Sequence, residues 1–572
     1  VNSVRRQEKI AFLQKLKKVN FVNVDAFFNT KLLRRDTSEI VVYLSVIGYT
    51  LVFSYFTILK FNAFHAYAWD LGIFNQSLWT TLHSGKFFFS TVEQFIVPSG
   101  VFFGTHFSPI LYAVLPFYAL TSTPQALLVI QSFILALGAV PLYFFAKNSL
   151  NNRVLAVVFS LAYLFYPPLQ GANWFDFHVQ AFLPLFFFCT MYFLVRERWP
   201  SYFLFVFLSL TVAENVPITV VFIGLYGFWH FRTRIVNALK TRKLVDAVFL
   251  VPILTIAIAV AWLFFAGWIR QVNWPFNPAF FQLYKAVDHW PAFIGMDDPN
   301  RLPLYVIIQP GNAVKALAYD WPLKILYVFL LFGPLLFLSF GSSMTAISLA
   351  WLVPALLSNY TPYYTIGAHF PMYPVAFIFL GAVEGLGSGL SIIGLWRQLR
   401  LRKISLSTGL PSLAKLVSKT KALLVVSLVF TITISPLSPV MTYVGKNLPQ
   451  FADYQPPMVT RHDELLQTIS DLVFPSNASV LTQNSIFVHF SSRADAYVYP
   501  LPRRLSGQNE TALQTQLDGI FKLQEGNYSE LQTFMEGLFE FQGYNGTELQ
   551  KYVEGLFQKS QYVMVDATTD NY

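Results

Sequence analysis

Charge and cysteine are what this chain has least of. Only 12% of its 572 residues are Asp, Glu, Lys or Arg, about half the roughly 25% typical of soluble domains. A fully water-exposed globular protein is thereby excluded. The single cysteine, Cys189, lies inside an apolar run, so an intrachain disulfide is excluded and any water-exposed part must be held by its own core. No glycine-rich phosphate loop is present, which speaks against a nucleotide substrate. No His, Cys or Asp spacing reads as a metal centre, so a divalent ion is permitted rather than implied. No nucleic-acid module or basic–aromatic groove can be read, and nucleic acid is set aside as a partner. No inverted repeat is visible, which weakens a transporter or flippase reading. Residues 1–37 lack an apolar core with a cleavage site, so no cleavable signal peptide is expected. The Val1 start fits a GTG codon, as in a prokaryote, or a truncated chain.

Apolar residues make up 55% of the chain. Runs near the ~20 residues needed to cross a ~30 Å hydrocarbon layer recur along it. They fall at 39–59, 106–122, 124–146, 154–169, 179–196, 202–230, 244–269, 322–340, 343–358, 371–395 and 422–443. Lipid cannot satisfy exposed backbone groups, and the runs are continuous rather than alternating, so helices and not a barrel are expected. The expected fold is a polytopic α-helical membrane protein of about eleven transmembrane helices with a C-terminal extracytoplasmic α/β domain.

Charge distribution orients it. Lys and Arg number 9 in residues 1–37, 5 in 232–243 and 7 in 397–421, together 21 of the 40 in the chain. Cytoplasmic loops carry such an excess. Residues 1–37 read as a basic amphipathic helix on an anionic leaflet or as a basic tail. Residues 38–445 form the bundle, with extracytoplasmic loops at 60–105, 270–321 and 359–370. Residues 446–572 hold 15 acids against 8 bases and are placed outside. Asn-x-Ser/Thr triplets at Asn477, Asn509, Asn527 and Asn545 in this tail, and at Asn75 and Asn359 in outer loops, are expected glycosylation sites. RHDELLQTISDLV reads as a helix, and ASVLTQ, YVYPLP and QYVMVDATTD as strands. EGNYSELQTFMEGLF and YNGTELQKYVEGLF read as two similar helical hairpins. One ambiguity stays open. Simple counting puts the loop K147NSLNNR153 outside and GANWFDFH inside, whereas the basic character of KNSLNNR argues the reverse. A re-entrant segment within 86–104, or a break at ENVP (214–217), would restore the other parity.

Four polar clusters break the apolar pattern. In AYAWDLGIFNQSLWTTLHSGK, helical spacing groups Leu71, Phe74, Leu78 and Leu82 on one side and Asp70, Ser77 and Thr81 on the next. A helix lying on the membrane surface would present Asp70, with His65, Gln76, His83, Glu93 and His106 of THFSP nearby in sequence. The plain alternative is an interfacial helix anchored by Trp69 and Trp79, its Asp70 merely facing water. In YPPLQGANWFDFHVQAF, Asp176 is explained by helix capping; His178 is not. Glu214–Asn215 places an acid at membrane depth, where ionisable groups usually line a polar cavity, or marks a helix break. NYTPYYTIGAHFPMYPVAF carries Tyr363, Tyr364 and His369; a lone His there is more often interfacial than catalytic.

The pieces AYAWDLGIFNQSLW, THFSPILY, YPPLQGANWFDFH, AHFPMYPVAF and ASVLTQN…HFSSRADAYVYP…YVMVD resemble a prokaryotic family of predicted membrane proteins, domain of unknown function 2079. That family is similar to the C-type superfamily of membrane glycosyltransferases, among them protein mannosyltransferases and the aminoarabinose transferase of lipid A. Those enzymes place one acid after the first span and a second after a later one, places held here by Asp70 and Asp176. Asp70 is not part of an Asp–Glu or Asp-x-Asp pair, and the ENVP segment has an acid where relatives often have a base. The resemblance implies a transferase of an archaeal plasma membrane, multi-pass, with a cytoplasmic N-terminus and an extracellular glycoprotein tail. It would move sugar from a polyprenyl-phosphate donor, held among membrane lipids, to a glycan, lipid or protein acceptor, with inversion. Asp70 is then the base, Asp176 and His178 orient hydroxyls, and Lys60 or Arg301 balances the phosphate. His65, Gln76, His106, Glu214 and His369 complete the expected substrate-binding set. The alternatives are a membrane scaffold for a glycosylated surface domain, or a transporter or flippase using Glu214.

Overall fold

The computed structural model describes residues 35–95, 97–240, 247–273, 289–296, 299–387, 413–444, 451, 454, 457–498 and 562–564. Residues 1–34 of the basic segment, the helical hairpins expected at 525–557, and Asn509, Asn527 and Asn545 lie outside these residues. Helix dominates. Among the described residues, four helices are long and apolar enough to cross a membrane: Thr37–Asn62, Pro124–Leu150, Ala247–Gln271 and Ala422–Met441. Two bent pairs, Arg153–Leu164 with Pro167–Trp174 and Pro310–Ala318 with Trp321–Leu335, raise the number to six if each is one span. Val179–Val195, Trp199–Leu210, Val216–His230, Ser343–Leu356 and Val375–Gly387 are apolar but shorter. The runs 106–122 and 202–230 differ from expectation. Of the first, only Leu111–Tyr118 is α-helix, with Pro116 inside it. The second is broken between Leu210 and Val216, where Thr211 gives its carbonyl to the amide of Ile110 at 3.0 Å.

These two departures settle which loops share a side. Lys147 pairs with Glu39 at 2.8 Å, so KNSLNNR lies with the start of the first span. Lys60, at the far end of that span, pairs with Asp176 at 3.2 Å, so GANWFDFH lies at the opposite side. Simple counting fails because helix Leu111–Tyr118 does not cross: Tyr118 donates to Asn75 Oδ1 at 2.6 Å, and Ser122 meets His83 at 3.0 Å. The described residues of 86–104 form a loop pinned by an antiparallel bridge between Phe89 and Val101.

The C-terminal residues pack on this same end. Strands β1 (Val480–Thr482), β2 (Ala496–Val498) and β3 (Tyr562–Met564) form a parallel sheet in the order β2-β1-β3, with helix Asn484–Phe490 as the crossover from β1 to β2. Helix Arg461–Leu472 starts with a capping box between Thr460 and Asp463, which satisfies two orphan amides. This unit docks on the segment that carries Asp70. Asn75 donates to Ser491 and Ser492 at 2.8 and 3.1 Å, and Gln76 donates to the carbonyls of Arg493 and Ala496, both at 3.1 Å. The approach is close because residue 72 is glycine: a Cβ there would sit 2.8 Å from a Phe487 ring carbon. Asn75, expected as a glycosylation site, is fully buried in this contact and is closed to modification. Asn477 is exposed.

Candidate functional site

The site starts from Lys60, in the last turn of helix Arg35–Asn62. Its ammonium is buried and donates to the Trp174 carbonyl at 3.1 Å and to Asp176 Oδ1 at 3.2 Å. The chain then reverses through Phe64, whose φ of 56° lies in the left-handed region, uncommon for a bulky residue. The His489 ring of the C-terminal unit covers this turn, stacked on Phe61 at 4.1 Å and Phe64 at 3.9 Å. His65 follows, its amide bonded to the Lys60 carbonyl. Two anchors fix the next residues: Tyr67 N donates to Asp176 Oδ2 at 2.7 Å, and Ala68 N to Asn484 Oδ1 at 2.8 Å. Between them begins a π-helical turn, Ala68–Gly72, that runs into helix Ile73–His83. Such turns are rare and are frequent at functional sites. The segment does not lie free on a surface as the wheel suggested, because Ser77 is buried along with Leu71, Phe74 and Leu78.

The π turn sets Asp70 against His178, Oδ1 to Nε2 at 3.3 Å. His178 is fixed from three directions. Its Nδ1 is 2.9 Å from the Asp176 carbonyl oxygen, its amide donates to Gln131 Oε1 at 2.8 Å, and its ring stacks on His369 at 3.8 Å. A carbonyl oxygen only accepts, so Nδ1 carries a proton. The other ring nitrogen, Nε2, faces the Asp70 carboxylate. Burial pushes His369 well below the ordinary histidine range, and positive charge on His178 and His106 pushes the same way, so His369 is a neutral ring. The Asp70 side chain is 25% exposed, and among the described residues nothing bonds its Oδ2. Burial pushes the Asp176 carboxyl up, Lys60 pulls it back, and the charge on Asp70 raises it again.

A second cluster adjoins the first through aromatic contacts. Phe74 meets His178 edge-on at 5.5 Å and Phe102 at 5.1 Å, and Phe102 lies 5.7 Å from His106. His106 Nδ1 is 3.1 Å from Glu214 Oε1, and Arg270 stands 3.9 Å from the same oxygen. Glu214 lies in the break between helices Trp199–Leu210 and Val216–His230. Burial alone would raise its carboxyl; His106 and Arg270 outweigh that and hold it at about 2. Glu93, buried beneath, receives a hydrogen bond from Thr105 and is pushed up to about 7 by burial, against the pull of His106, Thr105 and Arg270. Among the described residues, no group of three or more His, Cys, Asp and Glu is arranged to hold a metal ion.

Glu93 has a measurable consequence. Its folded value lies above its ordinary 4.5, so the folded state binds the proton more tightly. Stability therefore falls as pH rises from about 4.5 to about 7 and is flat above that. Glu93→Gln keeps an acceptor for Thr105 and removes this slope. Melting curves at pH 5 and pH 8 are expected to show the variant gaining on wild type by about 3 kcal/mol between the two; equal pH dependence contradicts it.

Asp70, Asp176 and His178, from separate parts of the sequence, thus meet, and His369, His106 and Glu214 stand with them. Others expected at the site do not. Lys60 is buried and bonded to Asp176. Gln76 is fully buried, its amide bonded to Arg493, Ala496, Ser90 and Thr91, so it docks the C-terminal unit. Arg301 heads helix Leu302–Ile308; the arginine beside Glu214 is Arg270. Arg270 had a signal in sequence, as a base ending an apolar run on the side where the positive-inside rule expects few. Gln131 had another, as an amide within an apolar run. No curated protein matches the chain. Residues 60–564 match the predicted membrane protein family DUF2079, and the chain, with this end of the bundle inside the matched span, belongs to that family.

Proposed function

We propose that the protein is a membrane glycosyltransferase that moves a sugar from a polyprenyl-phosphate donor to a glycan, lipid or protein acceptor outside the cell. In this reading the N-terminus is cytoplasmic and the C-terminal residues form a glycosylated extracytoplasmic α/β domain, modified at Asn477 among others. The observation that carries it is the division of labour between two acids. Asp176 is buried and committed to Lys60 and Tyr67, whereas Asp70 is accessible and held through one oxygen only. A carboxylate oriented by a histidine, itself oriented by a carbonyl, follows the logic of catalytic dyads and triads.

The acceptor hydroxyl approaches Asp70 Oδ2, which takes its proton as the acceptor oxygen bonds to the anomeric carbon. The bond from that carbon to the phosphate oxygen breaks, and its electron pair leaves with the polyprenyl phosphate. Attack opposite the leaving group inverts the anomeric centre, as with a base on the far face of the sugar. Arg270 and the imidazolium of His106 balance the departing charge, the place first given to Lys60 or Arg301. The docking of the C-terminal unit on the Asp70 turn argues against a scaffold whose outer part works independently.

The test is transfer of labelled sugar from a polyprenyl-phosphate donor in proteoliposomes. Wild type is expected to be active and Asp70→Asn to lose about 10²–10⁴-fold in kcat with an unchanged melting midpoint. Full activity in Asp70→Asn contradicts the assigned base.

A further inference from the structure

Residues 302–314, LPLYVIIQPGNAV, carry no charge. Thirteen residues are too few to span a bilayer; runs of about 10–14 are buried core helices or lie at the membrane interface. Burial does not apply here. Helices Leu302–Ile308 and Pro310–Ala318 each bury a single residue, Leu302 and Ala316, while Leu304, Ile307, Ile308, Val314 and Leu317 are all about half or more exposed. The direction of the second helix is defined. It meets the apolar helix Trp321–Leu335 at 79°, so if one stands across the membrane the other lies nearly in its plane. Exposed apolar residues recur on that helix at Trp321, Ile325 and Phe329. Tyr319 and Trp321 sit at the corner, where aromatic side chains favour the headgroup level.

We infer that residues 302–318 form an in-plane hairpin seated in the lipid leaflet on the Asp70 side, rather than a water-exposed part of the 270–321 loop. Its occupant is the hydrocarbon–headgroup boundary of the bilayer, because the patch extends a surface that already faces lipid. The inner side of the hairpin reaches the candidate site. Leu302 packs with Trp290 and Phe293 in a small separate core, and Trp290 donates to the Pro354 carbonyl at 2.8 Å. His289 meets the Tyr363 hydroxyl at 3.0 Å, and Tyr363 packs edge-on against Phe370 at 4.7 Å, next to His369. A hairpin held by lipid thus braces the loop whose His369 stacks on His178.

The test is site-directed spin labelling in liposomes, on a Cys189→Ala background. Labels at Ile307→Cys and Val314→Cys are expected to collide readily with oxygen and poorly with a water-soluble nickel chelate. They should match a label at Ile325→Cys on the adjoining span and differ from one at Asn477→Cys. Nickel accessibility equal to that at Asn477→Cys overturns the inference. So does low collision with both reagents together with dipolar broadening, which would mean that a second copy covers the patch.

Discussion

Asp176→Ala is expected to be among the most destabilising single changes in the molecule, costing about 3–5 kcal/mol. The substitution leaves the Lys60 ammonium buried with one carbonyl oxygen, that of Trp174, as its described partner, and removes the carboxylate oxygen to which Tyr67 N donates. Removing one member of a buried pair costs more than removing both. The double variant Lys60→Met/Asp176→Asn should therefore regain most of the loss, since the amide oxygen of the substituted side chain can still accept from Tyr67 N. Melting midpoints of the purified single and double variants check this. A double variant no better than Asp176→Ala contradicts a role through Lys60. The pair joins the first span to the 171–178 loop at the base of the site, so the single variant should also lose the Asp70–His178 contact.

Gly171→Ala should be the next most damaging. A methyl at residue 171 would fall 2.2 Å from the Ile366 carbonyl oxygen and 1.8 Å from the Tyr454 hydroxyl. The hydroxyl end of Tyr454 can swing away, but the Ile366 oxygen is backbone and moves only if its loop moves. Overpacking of this kind costs about 1–3 kcal/mol, and the displaced loop carries His369, three residues on. Gly48→Ala is the control: it lies within helix Arg35–Asn62 with no atom within 4 Å of the added methyl. There alanine should be neutral or stabilising by about 0.5–1 kcal/mol. Equal melting midpoints for the two variants would mean that the close packing at residue 171 is not needed.

Much of this was legible in the residues themselves. The apolar runs mark where helix is found, and the expected strands at ASVLTQ and QYVMVDATTD contain β1 and β3. The segments holding Asp70, Asp176, His178 and His369 stood out because each interrupts an apolar pattern with polar groups, although capping accounts for Asp176 and an interfacial place for His369. The count of crossings was not legible. A run such as 106–122 is apolar enough to span, and its folding back depends on tertiary bonds from Ile110 to Thr211 and from Tyr118 to Asn75. Partner choice was equally hidden. Lys60 and Arg270 both end apolar helices, and only the fold decides that Lys60 is buried against Asp176 while Arg270 stands beside Glu214. Gln76 and Asn75 looked like ligands or modification sites because the surface that covers them comes from residues 491–496, about 415 positions later in the chain.

The loops bearing Asp70, Asp176, Glu214 and His369, together with the C-terminal unit, are expected to gather at one face of the membrane. Labelling of single cysteines by a membrane-impermeant maleimide, on a Cys189→Ala background in sealed cells, tests this directly. Lys86→Cys and Asn477→Cys are predicted to react from outside, while Asn148→Cys and Glu197→Cys stay protected until the membrane is opened. Labelling of Asn148→Cys together with Lys86→Cys in sealed cells would place KNSLNNR on the same side as Asp70 and contradict the account.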